Sequence, residues 1–177
     1  MKSTTTLILL TLMLCTAPRA EEAQHSVTFH PILSLAIKGL HLTYESSLGS
    51  GRNAFEVPIY LGYFELRQEN PILFTGLGFG WRRYLHLANQ GPYLSPKHEA
   101  VLVRQFSSGP QPSFYGLINM TSLGMGYKFL WQHFTLDLGI YASYLRTDLV
   151  SGGNLSDRND ESETLFPSGS LAFGIPF

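Results

Sequence analysis

The stretch Leu165-Phe-Pro-Ser-Gly-Ser-Leu-Ala-Phe-Gly-Ile-Pro-Phe177 decides how the rest of the chain is read. From Gly169 onward, bulky apolar residues stand at every second position: Leu171, Phe173, Ile175 and Phe177. Ser170, Ala172, Gly174 and Pro176 fall between them. A period of two sends successive side chains to opposite faces of a β-strand, here one large and apolar, the other small. In water such a row on an open edge is a template for aggregation. It is accommodated when the apolar face meets lipid and the strand closes a barrel against the first one.

Seven further segments carry the strand signal, each near the length a tilted membrane strand needs. They are Ser26–Leu35, Leu40–Leu48, Ala54–Phe64, Ile72–Leu85, Tyr93–Phe106, Phe114–Leu130 and a seventh beginning at Phe134. Pro31 inside the first suggests a bulge. The third is the clearest early one, with Phe55, Val57, Ile59, Leu61 and Tyr63 in an unbroken apolar row. In the fifth, Pro96, Lys97, His98 and Glu99 blur the alternation. Turn-rich stretches separate the segments, and a long polar loop is expected over Thr147–Thr164. The expected fold is therefore all-β: an eight-stranded antiparallel up-and-down transmembrane barrel. An even strand count puts both termini at one end, with the short Trp131–His133 turn, and the loops after Phe106 and Thr147 at the other.

The chain of 177 residues suits one domain, expected over 21–177, after a secretory signal peptide over 1–20. The leader reads Met1-Lys2, an apolar run from Leu7 to Cys15, then small residues around Ala17 and Ala20. That run is too short to span a bilayer as a helix, which takes roughly 20 residues. Cys15 is the one cysteine and leaves with the leader, so no disulfide or thiol chemistry is expected. Of the 12 basic residues, Lys2 and Arg19 go with it, leaving 10 against 13 acidic. A net negative mature chain gives no support to nucleic-acid binding.

If the large rows face lipid, the opposite parity faces the lumen. That set supplies Glu45, Glu56, Arg82, Lys97, Glu99, Lys128 and Asp137, with Tyr60, Tyr141 and many glycines. Eight strands enclose a space just wide enough for side chains to fill, so paired charges should plug it. Trp81, Tyr84, Tyr127, Trp131, Phe134 and Tyr144 fall near strand ends and are expected to form an interfacial aromatic belt.

The final strand, ending on Phe177, resembles the assembly signal of bacterial outer-membrane barrels, on Gly169, Leu171, Phe173, Ile175 and Phe177. The order of His30-Pro-Ile-Leu33, Leu42-Thr-Tyr-Glu45, Gly76-Leu-Gly-Phe-Gly80, Phe134-Thr-Leu-Asp-Leu-Gly139 and Phe177 resembles small OmpA/OmpX-like barrels. In particular it is similar to an uncharacterised bacterial family of them, over essentially the whole mature chain. The resemblance implies export to the outer membrane of a Gram-negative cell. It also implies contact with membrane lipid and lipopolysaccharide, and dealings with periplasmic chaperones and the barrel-assembly machinery. It implies no activity that can be carried to individual residues, and the partner of the outer loops stays open.

The expected role is structural, or surface interaction through those loops, without enzymatic activity, cofactor or metal. One alternative is a secreted or periplasmic lipocalin-like barrel that binds a small apolar ligand, with its large residues inside. Another is a lipid-A-modifying enzyme. Deacylases of that kind use a His and a Ser two residues apart with a nearby carboxylate. The nearest imitation here is His133, Thr135 and Asp137. Gly76-x-Gly78-x-Gly80 lies within a strand with no helix after it, unlike a nucleotide loop. Asp157-Arg-Asn-Asp-Glu161 is acidic but lacks the glycine and spacing of a calcium loop.

Overall fold

A computed structural model describes residues 24–36, 38–48, 52–64, 72–87, 89–105, 114–151 and 162–177. The expected leader over 1–20 and the acidic run 157–161 lie outside the described residues. Eight strands form one closed antiparallel barrel in which each pairs with its neighbours in sequence, and β1 pairs with β8. They are β1 (His25–Phe29), β2 (Gly39–Ser47), β3 (Asn53–Phe64), β4 (Ile72–Tyr84), β5 (Gly91–Gln105), β6 (Phe114–Leu130), β7 (Thr135–Ser151) and β8 (Ser162–Pro176). A six-residue helix, α1 (Pro31–Ala36), lies between β1 and β2. Closure is made by Ser26, Val27, Thr28 and Phe29 against Pro176, Ile175, Gly174 and Phe173. Phe177 and His25 extend it by exchanging backbone hydrogen bonds at 3.0 and 3.1 Å.

The register brings the termini together with the β4–β5 and β6–β7 connections at one end. The second of these is held by the Trp131 N–H donating to the Phe134 carbonyl at 2.9 Å. Phe64 and Ile72, Gln105 and Phe114, and Ser151 and Ser162, the ends of successive strands, lie at the opposite end. Pro58 and Pro96 are carried within β3 and β5. Each coincides with a short gap in the β3–β4 or β4–β5 pairing, where an N–H is missing, and the register is unchanged on either side. The blurred alternation of the fifth segment therefore did not prevent a fifteen-residue strand.

Two expected boundaries are corrected. The first segment is not one bulged strand to Leu35: β1 stops at Phe29, and Pro31 opens α1. Proline suits the first helical position, because its fixed φ is helical and its missing N–H had no intrahelical acceptor to lose. The Ser34 N–H then donates to the His30 carbonyl at 3.0 Å. Lys38, at φ 43°, turns the chain into β2. The second correction is at the seventh strand, which runs on to Ser151, while β8 begins already at Ser162. Leu145, Arg146 and Thr147 pair with Thr164, Glu163 and Ser162 and continue the ladder through polar residues.

Parity around the wall is consistent. Ile59, Leu61, Leu77, Phe79, Leu123 and Ile140 point outward and are 46–64% exposed. The opposite parity carries Glu45, Glu56, Arg82, Glu99, Lys128 and Asp137 inward, all of them buried. Among the described residues, no helix is long and apolar enough to cross a membrane, which leaves open a crossing made by strands.

Candidate functional site in the barrel interior

Inward side chains of β2, β3, β5 and β7 converge on Arg82 of β4. Its Nη1 reaches Glu45 Oε2 at 2.7 Å and Asp137 Oδ2 at 2.5 Å, and its Nη2 reaches Glu56 Oε2 at 2.8 Å. Lys128 Nζ sits 2.9 Å from Glu45 Oε1 and donates to Ser26 Oγ at 2.8 Å, which ties β6 to the closing strand β1. Hydroxyls supply the remaining donors. Tyr84 donates to Glu45 at 2.8 Å, Tyr93 to Asp137 at 2.6 Å and Ser95 to Glu56 at 2.6 Å. The Arg82 guanidinium also lies 4.1 Å from the centre of the Tyr93 ring. All of these side chains are buried. Withdrawing charges from water is costly unless they are paired and hydrogen-bonded, and here each carboxylate has both kinds of partner.

Of the seven charges placed in the lumen by parity, five join this network: Glu45, Glu56, Arg82, Lys128 and Asp137. Lys97 and Glu99 form a separate pair at 3.2 Å, further from the termini. Tyr60 donates to the same Glu99 oxygen, and Lys97 Nζ sits 4.4 Å from the centre of the Tyr141 ring. The glycines on the inward parity make room for these groups. A Cβ on Gly80 would meet Glu56 Cγ at 2.6 Å, and one on Gly124 would clash with the Tyr141 ring. Sequence reasoning missed Ser26, Tyr93 and Ser95. The inward parity of each is legible, but a neutral hydroxyl does not announce itself as a partner in a charge network.

The aromatic positions divide. Trp81, Tyr127 and Phe134 are outward and exposed, as is Tyr144. Tyr127, Phe129, Trp131 and Phe134 stack in a run, with successive centroids 4.5, 5.7 and 4.1 Å apart, at the end holding the termini. Tyr144 lies nine residues further along β7 than Thr135. At about 3.3 Å per residue and a tilt of about 40°, that is roughly 23 Å of height, close to an outer-membrane apolar band. Tyr84 is a correction. It shares the parity of Arg82, is fully buried, and belongs to the interior network rather than to a surface belt. On β8, Phe173, Ile175 and Phe177 are outward and exposed, Gly169 is exposed and Leu171 half-buried.

His133, Thr135 and Asp137 do not assemble as a reacting group. His133 is exposed in the turn, the Thr135 hydroxyl is buried with no hydrogen-bond partner, and Asp137 is engaged by Arg82 and Tyr93. Among the described residues, no group of three or more His, Cys, Asp or Glu is placed to hold a metal ion.

Above the network the interior opens into a cavity of about 320 Å³. Arg82, Lys97 and Thr43 line it together with Met120, Tyr141, Phe166 and Leu171. Three rings stack along one side, His30 on His41 at 3.9 Å and His41 on Tyr60 at 4.1 Å. His30 Nε2 is 3.0 Å from Thr43 Oγ1, whereas both ring nitrogens of His41 are buried without a partner.

No protein-family model matches this chain, and neither a curated protein nor a solved structure is detectably similar to it.

Proposed function

We propose that the chain is an integral barrel of a bacterial outer membrane, of the small OmpA/OmpX-like kind. Its role is structural or one of surface interaction through the segments opposite the termini, and it is not an enzyme. One observation carries the reading. The wall is apolar outside and charged inside, with Leu123 and Ile140 both 64% exposed while Glu99 and Lys128 are no more than 1% exposed. A lipocalin-like carrier in water has the reverse arrangement, with its charges outside. Lipid solvates the outer rows, and the ladder satisfies the backbone groups that lipid cannot. Outer-membrane lipid and lipopolysaccharide are then the surroundings of the wall, and the barrel-assembly machinery is its route there through the Phe-terminated β8. The charge network fills the half of the lumen near the termini and leaves no water-filled channel through it.

The reading is tested by fractionating cells that express the full chain and running the membrane fraction on a denaturing gel, boiled and unboiled. Recovery in the outer-membrane fraction, with unboiled protein migrating differently from boiled, is the expected result. Recovery in the soluble periplasmic fraction with no heat-dependent shift would overturn it.

A further inference from the structure

We propose that the upper cavity is a binding site for a neutral single-chain amphiphile, entering sideways through the wall between β2 and β8; the sideways route rests on the membrane reading above. Three features point to it. The first is the height of the wall. β1 has five residues, whereas β6 and β7 have seventeen and β8 fifteen. β1 pairs with β8 only from Phe173 to Pro176, so among the described residues Ser162–Ala172 has no strand partner on that side. On the other side, the His41 N–H donates at 3.0 Å to the Ser34 hydroxyl of α1 instead of to a strand. Among the described residues, a window therefore stands above the end of β1, with α1 across it.

The second feature is the lining. Phe166, Ser168 and Ser170 reach the cavity from the inward face of β8, while Gly169 and Leu171 reach it from the outward face. A cavity touched by both faces of one strand passes around that strand's edge. Ile32 and Leu33 of α1 complete the window with apolar surface, and both are exposed. An apolar chain lying there meets aliphatic groups continuously from the lipid-facing surface to the interior.

The third is the polar end. His41 is 4% exposed, held by the rings on either side of it, and has two ring nitrogens free to bond a ligand. Buried polar atoms in that state favour a ligand group that both donates and accepts. The two cations of the lining are already held by carboxylates, Arg82 by Glu45, Glu56 and Asp137, and Lys97 by Glu99. Neither is left to pair a ligand carboxylate, so an uncharged hydroxyl head fits the site better. An engineered cavity of about 150 Å³ holds benzene, so this one suits on the order of a dozen non-hydrogen atoms.

The test uses the mature full chain in phosphatidylcholine nanodiscs, carrying methyl-labelled methionine and titrated with 1-dodecanol. Met120 lines the cavity and Met125 faces outward, which supplies an internal control. A saturable shift of the Met120 methyl without one at Met125 is expected. His41→Phe, which keeps the ring stack, should weaken it about tenfold, as should replacing the alcohol by dodecanoate. Equal response of the two methionines, or an affinity unaltered in a His41→Phe protein that still shows the folded heat-dependent band, would overturn the site. If the chain stays out of the nanodiscs, the same titration in buffer separates the two ideas. A saturable Met120 shift there upholds the cavity and removes the membrane route, and its absence removes both.

Discussion

Replacing Arg82 with methionine is expected to lower the unfolding free energy by about 3–5 kcal/mol, because it leaves buried carboxylates uncompensated. Three of them, Glu45, Glu56 and Asp137, depend on this one guanidinium, and Lys128 reaches only Glu45. The measurement is a urea titration of the protein refolded into lipid vesicles, followed by tryptophan fluorescence. Arg82→Lys should recover only part of the loss, since an ammonium cannot present the planar fork that serves carboxylates from three strands. Adding Asp137→Asn to Arg82→Met should restore some stability, a non-additivity expected when two groups belong to one network. A change below about 1 kcal/mol for Arg82→Met would mean that the interior charges are solvated independently of one another.

The second large effect lies on the outer face, and its size depends on the solvent there. Ile140 is 64% exposed on β7, between the level of the Phe134 stack and that of Tyr144. In a bilayer, Ile140→Arg should cost about 2–4 kcal/mol, the penalty for a cation near the midplane of a barrel wall. On a water-facing surface the same change should fall within about 0.5 kcal/mol of zero. The same urea titration in vesicles reads the difference, and a near-zero result would place Ile140 in water.

The face assignment was open to sequence reasoning because a strand has only two faces. Once the rows at 55–63, 123–129 and 134–140 are taken as the lipid side, parity alone puts Glu56, Lys128 and Asp137 inside. Tyr84 shows the limit of a competing cue: nearness to a strand end suggested the belt, but parity with Arg82 governs which way it points. The helix over Pro31–Ala36 was hidden because six residues are too few to display a 3.6-residue period, and a proline in an apolar run also reads as a bulge. The reach of β7 to Ser151 was hidden for another reason. Alternation registers burial, while the pairing of Arg146 with Glu163 needs only a neighbouring backbone. The partners of Arg82 come from strands up to 55 residues away, and only closure of the barrel brings them together. The cavity depends in turn on β1 stopping early, which no local pattern announces.

The central claim, that this barrel is apolar outward into lipid and charged inward, is tested most directly by spin labels along β6. With residues 1–20 and their Cys15 removed, the chain has no native cysteine, so labels can be placed singly at Met120, Thr121, Ser122, Leu123, Met125 and Tyr127, leaving out Gly124 and Gly126, where a side chain would clash. Collision with oxygen, which concentrates in lipid, and with a water-soluble nickel complex is then measured for each label in vesicles. The account predicts a period of two, with oxygen contact high and nickel contact low at Thr121, Leu123, Met125 and Tyr127, and both low at Met120 and Ser122. Nickel contact higher than oxygen contact at Leu123 and Met125 would contradict it and put that face in water.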